Sequence, residues 1–159
     1  MHASDIVEEY PVVTLDTDVL TAARTIGEQR LPAVIVCDAE GRPHTILPSS
    51  QVLRFMIPTY VQEDPALARV YLAGPSEKLM STLAARVVRD LLPTPQDRDS
   101  LPVVEPEATL LEVAVLMARR RSPIAAVMDG DVLLGAITVS RVLQVLLPPA
   151  PTSSPASPS

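Results

Sequence analysis

Arg30-Leu31-Pro32-Ala33-Val34-Ile35-Val36 and Arg121-Ser122-Pro123-Ile124-Ala125-Ala126-Val127 answer one another at a spacing of 91 positions. In each, a proline withdraws a backbone donor and ends a helix, and an apolar run bounded by aspartate follows. The runs Ala33 to Cys37 and Ile124 to Met128 suit central strands buried on both faces. Working backwards at the same spacing, Asp16 to Ile26 parallels Glu107 to Met117. Val19, Ala23 and Ile26, like Leu110, Ala114 and Met117, recur at i, i+4, i+7 and predict one apolar helix face per copy. Thr109-Leu110-Leu111-Glu112 carries a capping-box pattern. Ahead of the helices, Pro11 to Leu15 and Pro102 to Val104 are short β-branched runs that predict strands.

Working forwards, Asp38-Ala39-Glu40-Gly41 and Asp129-Gly130-Asp131 have hairpin chemistry. They lead into strands over Arg42 to Leu47 and Val132 to Thr138. The spacing then falls to 90, with Ser50-Gln51-Val52-Leu53 matching Ser140-Arg141-Val142-Leu143, so one residue is missing from a hairpin, where indels are cheapest. Each third strand meets a short helix through serine, whose hydroxyl can accept from the first free amides. The chain therefore divides into a first repeat (1–58), a helical connector (59–85), a second repeat (86–147) and a Pro/Ser-rich tail (148–159) expected to be disordered. In the connector, Asp64 to Leu72 and Ser76 to Val88 read as helices split at Gly74-Pro75. Asp5-Ile6-Val7 and Asp90-Leu91-Leu92 echo each other as lead-in segments to the two copies.

The chain has 159 residues, 47% hydrophobic and 20% charged, enough for one compact domain or two small repeats sharing a core. A net charge of −6 disfavours a phosphate backbone, so nucleic acid is not an expected partner. Cys37, His2 and His44 lack zinc-ligand spacing, and no metal site is expected. The polar, acidic start and the lack of an apolar run of about 18 residues predict a cytoplasmic protein with no membrane partner. No G-x-S-x-G, P-loop, G-x-G-x-x-G or H-E-x-x-H occurs, and no catalysis is expected. Asp16/Asp18 and Glu105/Glu107 lie at helix starts, where acidic residues are electrostatically at home. Cys37 reads as a small core hydrophobe, and Arg119-Arg120-Arg121 as a solvated helix end. Twelve arginines against one lysine point to a GC-rich bacterial genome.

The paired lead-ins, the strand before Asp-x-Asp or Pro-Glu-Ala-Thr-Leu, the Ala-x-x-Ile/Met helix, the strand after proline and the closing Asp129 to Leu143 stretch resemble the tandem CBS (cystathionine-β-synthase-type) domain pair, or Bateman module. The resemblance covers the chain to about Leu147. It implies an α+β fold of two β-α-β-β-α repeats related by a pseudo-twofold axis, with two clefts between them. It also implies adenine nucleotides (AMP, ADP or ATP) or S-adenosylmethionine as regulatory ligands, no required cofactor, and pairing into flat homodimers. Backbone groups at Ala33 and Val34, and at Pro123, Ile124 and Ala125, would read a flat base. The short-helix amino end would offer free N–H groups to phosphate.

The family pattern at that helix is Gly-hydrophobic-x-Thr/Ser-x-x-Asp, and both copies depart from it. Thr45-Ile46-Leu47-Pro48-Ser49-Ser50-Gln51 puts neutral Gln51 where the ribose-gripping carboxylate stands. Gly135-Ala136-Ile137-Thr138-Val139-Ser140-Arg141 keeps Thr138 and puts Arg141 there, a group that accepts no hydrogen bond but clamps phosphate. Arg141 at a helix start also calls for an anion or acidic partner to offset the macrodipole. The expectation is that the second cleft, with Thr138, Ser140 and Arg141, takes an anion-rich ligand. A regulatory binding module is the leading function. The alternatives are a ligand-free dimerisation or interaction module, or an auxiliary subunit regulating an enzyme or transporter in trans.

Overall fold

The computed structural model describes residues 1–57, 63–64, 66, 77–92 and 101–150. After a short helix α1 (Ala3–Ile6), the first repeat runs β1 (Val12–Thr14), α2 (Val19–Gln29), β2 (Ala33–Cys37), β3 (Pro43–Pro48) and α3 (Ser49–Met56). A connector helix α4 (Glu77–Ala85) and a 3-10 turn (Val88–Leu91) follow. The second repeat is β4 (Val103–Val104), α5 (Leu110–Arg120), β5 (Ile124–Asp129), β6 (Val132–Thr138) and α6 (Val139–Leu146). The sequence-predicted helix over 64–72, the break at Gly74-Pro75 and most of the Pro/Ser tail lie outside the described residues.

Each repeat folds into a three-stranded sheet with its β2 or β5 strand central, parallel to the first strand and antiparallel to the third. Registers repeat as well: Val13 pairs with Val36 as Val104 pairs with Val127, and both hairpins shift register after Val36 or Val127. Every residue of β2 is buried, because the strand serves two cores at once. Val34 and Val36 point to the helices, while Ala33, Ile35 and Cys37 meet Ile124, Ala126 and Ala136 of the other sheet. Burying an Ile or Val side chain stabilises by about 1.5–3 kcal/mol, so the unbroken apolar runs explain both the strands and their docking. Cys37 is buried in this inter-sheet layer, where desolvation, then the charge of Asp38, push its thiol pKa up.

The helices begin and end as local chemistry dictates. Asp18 caps α2, accepting from the Thr21 amide at 2.9 Å and the Thr21 hydroxyl at 2.7 Å, and these bonds lower its pKa. Thr109 and Glu112 form the predicted reciprocal box at α5. Both helices stop one residue past their last turn on an arginine in the left-handed region, Arg30 (φ 54°) and Arg121 (φ 51°), two residues ahead of the prolines.

The lead-ins are exchanged between the repeats. Ala3 and Ile6 lie in the helical core of the second repeat, whereas Val88 and Leu91 lie in that of the first. Main-chain bonds repeat the exchange reciprocally. Ala3 N–H donates to Ala108 (2.8 Å) and Leu110 to Met1 (3.2 Å), as Val88 donates to Thr17 (2.8 Å) and Val19 to Arg86 (2.8 Å). Arg42 and Asp131 add an ion pair at 3.3 Å between the two hairpins.

Candidate functional site

Thr138, Ser140 and Arg141 come together at the amino end of α6, lining one cavity of about 360 Å³ with Glu8 and Gln144. The Thr138 hydroxyl accepts from the Arg141 amide at 3.1 Å, so it caps the helix, and it lies 3.0 Å from the Ser140 hydroxyl. The Arg141 guanidinium is steered by Gln144, with Nη1 donating to Oε1 at 2.9 Å. Its Nε is buried without a hydrogen-bond partner among the described residues. The nearest acid is Glu8, whose carboxylate stands 3.8 Å from that nitrogen. The acidic neighbour that an arginine at a helix start requires is thus supplied by the lead-in. A cation and two hydroxyls at the positive end of a helix are donors that suit a phosphate group.

The lead-in reaches this place because Glu8 and Ala136 exchange two main-chain bonds, both 3.0 Å. Gly135 makes the approach fit: a Cβ there would lie 2.1 Å from the Glu8 carbonyl oxygen, and its φ is 150°. The glycine of the closing motif therefore admits the lead-in backbone.

The matching position in the first repeat is organised differently. Pro48, in place of Thr138, caps α3 with no side-chain bond. Gln51 donates its amide to the Leu91 carbonyl at 3.0 Å, bracing the other lead-in. Ala33 and Val34 are fully buried, and the Ala33 carbonyl already accepts the Tyr10 hydroxyl. Ile124 and Ala125 are also fully buried, and the Ile124 carbonyl accepts the Ser122 hydroxyl at 2.7 Å. Pro123 accepts from the Val139 amide and lines a separate apolar groove between α5 and α6. The structure thus groups Thr138, Ser140 and Arg141 and leaves Ala33, Val34, Pro123, Ile124, Ala125 and Gln51 outside that cavity.

Glu8 and Gln144 were not foreseen as members of this region. Gln144 sits one turn after Arg141, a spacing that could have been read. Glu8 could not, because only the lead-in exchange brings it there. Burial raises the pKa of Tyr10 to about 12. Of the pairs considered for acid/base work, Asp16/Asp18 does structural jobs: Asp18 caps α2, and Asp16 pairs with Arg89 at 3.0 Å. Among the described residues, no cluster of His, Cys, Asp or Glu could hold a metal, and no helix is long and apolar enough to cross a membrane.

Two symmetry-related repeats with exchanged lead-ins and a polar pocket beside one short helix define the class: a paired-repeat module built around its junctions. The CBS-domain family model matches residues 88–148. A CBS-domain-containing protein from Kribbella flavida is 45% identical, with a TM-score of 0.81, over 92% of this chain and 100% of that one. The CBS domain of a membrane protein from Sphaerobacter thermophilus is 24% identical, with a TM-score of 0.68, over 92% and 88%. CBSX2, solved in complex with AMP, is 17% identical with a TM-score of 0.63, over 91% and 95%. None of the curated proteins matches the chain. The chain belongs to the CBS-domain family and folds as a CBS domain pair.

Proposed function

We propose that this chain is a non-catalytic regulatory sensor of the cytoplasm that binds an adenine nucleotide, or a related phosphate-bearing adenosyl ligand, beside α6. The observation that carries this reading is the convergence of Thr138, Ser140 and the under-partnered Arg141 on one cavity. The AMP complex of CBSX2 supports the ligand class. The pocket is walled by the second repeat and by the lead-in that continues into the first. A ligand that prefers one arrangement of these parts shifts its population and so signals to a regulated partner.

Calorimetric titration with AMP, ADP, ATP, S-adenosylmethionine and adenosine tests the reading. Phosphorylated ligands are expected to bind more tightly than adenosine, and Arg141→Gln to remove the difference. Equal binding of adenosine and AMP overturns it.

A homodimer is the second reading, favoured by one face. In the first repeat the α2/α3 groove, about 310 Å³, is partly covered by Leu79, Met80 and Leu83 of α4. The equivalent α5/α6 groove, about 480 Å³, leaves Val139 (41%), Leu143 (48%) and Leu146 (47%) exposed. A contiguous apolar face of this kind marks an interaction site. On α5, acidic Glu112 at the start and Arg119 and Arg120 at the end would complement an antiparallel second copy. Light scattering is expected to give a dimer; a monomer at all concentrations sinks this reading.

A further inference from the structure

We propose that Glu8 is a built-in competitor for the anion site, so that a ligand's phosphate must displace this carboxylate from beside Arg141. The inference rests on the reading of that pocket as an anion site. At 3.8 Å the Glu8 oxygen is too far from Nε for a hydrogen bond, so attraction holds it there without satisfying the donor. With Glu8 in place, the charges of the two side chains cancel, and an incoming anion meets no net attraction from the pair. A phosphate approaching to hydrogen-bond distance would make the charge-assisted bond that Glu8 does not.

The geometry lets the carboxylate leave alone. The Glu8 backbone is clamped to Ala136 by two bonds, and Gly135 lies too close beneath it for a side chain. The Glu8 side chain is 54% exposed, so it can rotate into solvent while its main chain stays. The same stretch continues to Tyr10, which holds the Ala33 carbonyl of the first repeat. Displacement therefore acts on a segment that touches both sheets. Ligands able to replace a carboxylate are selected, and neutral nucleosides gain nothing from the exchange.

The test is calorimetric titration of AMP and adenosine into the wild type, Glu8→Gln, Glu8→Ala and Arg141→Gln, at low and high salt. Removing a half-exposed competing charge should tighten AMP binding about two- to fivefold, and the gain should shrink at about 1 M salt. Adenosine binding should not change. Glu8→Ala guards against a packing effect of the amide, because the backbone bridge uses no side-chain atom. Unchanged or weaker AMP binding in both Glu8 variants, with binding lost in Arg141→Gln, overturns the competitor role and leaves the anion site standing. Full AMP binding by Arg141→Gln, or none by any form, overturns the site itself and the competitor role with it.

Discussion

The two repeats share strand order, register and helix ends, yet they treat equivalent surfaces in opposite ways. The first repeat adds α4 as a wall of its helical groove and spends Gln51 on the Leu91 carbonyl. The second leaves the matching groove open and holds Arg141 beside a cavity with an acid 3.8 Å away. A duplicated fold thus keeps its architecture in both halves while its polar and apolar surfaces are lined differently in the two. The lesson is that the fold lies in the matched apolar positions, whereas function is to be sought where the copies disagree.

The sharpest way to break this comparison is at Gly135, whose counterpart in the first repeat is Thr45. Gly135→Ala must push the Glu8 carbonyl away and strain a positive-φ position. A loss on the order of 3 kcal/mol is expected in chemical denaturation. Thr45 already carries a side chain in the equivalent strand, so Thr45→Ala should cost less. A neutral Gly135→Ala would show that the lead-in does not press on β6.

Association comes next. Leu143→Glu should convert a dimer into a monomer in light scattering, whereas Leu53→Glu, at the equivalent position beside α4, should leave the dimer intact. Equal effects of the two would assign the interface to both repeats.

The helix starts differ in titration behaviour. Asp18→Ala and Thr109→Ala should each cost about 1 kcal/mol at neutral pH. The Asp18 carboxylate has a lowered pKa, mainly from the Thr21 hydroxyl and then the Thr21 amide. Its stabilisation is therefore present above the ordinary aspartate range and is lost as pH falls through the folded value. The Asp18→Ala penalty should vanish in acid while the Thr109→Ala penalty persists; denaturant midpoints against pH decide it.

The smallest effect separates the strand carbonyls. Ala33 is served by an ionisable tyrosine and Ile124 by a serine. The Tyr10 pKa, raised from 10.0 to about 12, means its bond is intact below the ordinary tyrosine range and is lost as pH rises through the folded value. Ultraviolet difference titration should show a late tyrosinate phase that Tyr10→Phe removes. Should all tyrosines titrate together at the ordinary value, the burial of Tyr10 is wrong.

Much of the fold could be read in advance because it rests on local signals. The unbroken burial of β2 and of Ile124 to Val127 in β5, the Thr109-Glu112 box and the hairpin glycines are each written in a few adjacent residues. The left-handed Arg30 and Arg121 were hidden, since arginine does not announce that conformation. The grouping of Thr138, Ser140 and Arg141 was legible from their spacing at a strand-helix junction. Glu8 was not, because its position depends on a partner 128 residues away, Ala136, across the exchanged lead-ins. The difference between the grooves was equally hidden: Leu143 and Leu53 look alike in sequence, and α4 lines only the groove of Leu53 among the described residues.

The crossing of the lead-ins has a consequence for how the molecule is made. Because Val88 and Leu91 complete the helical core of the first half, that half waits on the ribosome until well past its own last helix has emerged. The second half, in turn, draws on Ala3 and Ile6, residues synthesised ahead of the whole first repeat. Neither can mature without its sibling, so the pair is expected to unfold in one cooperative step, and cutting the chain between them leaves two incomplete halves.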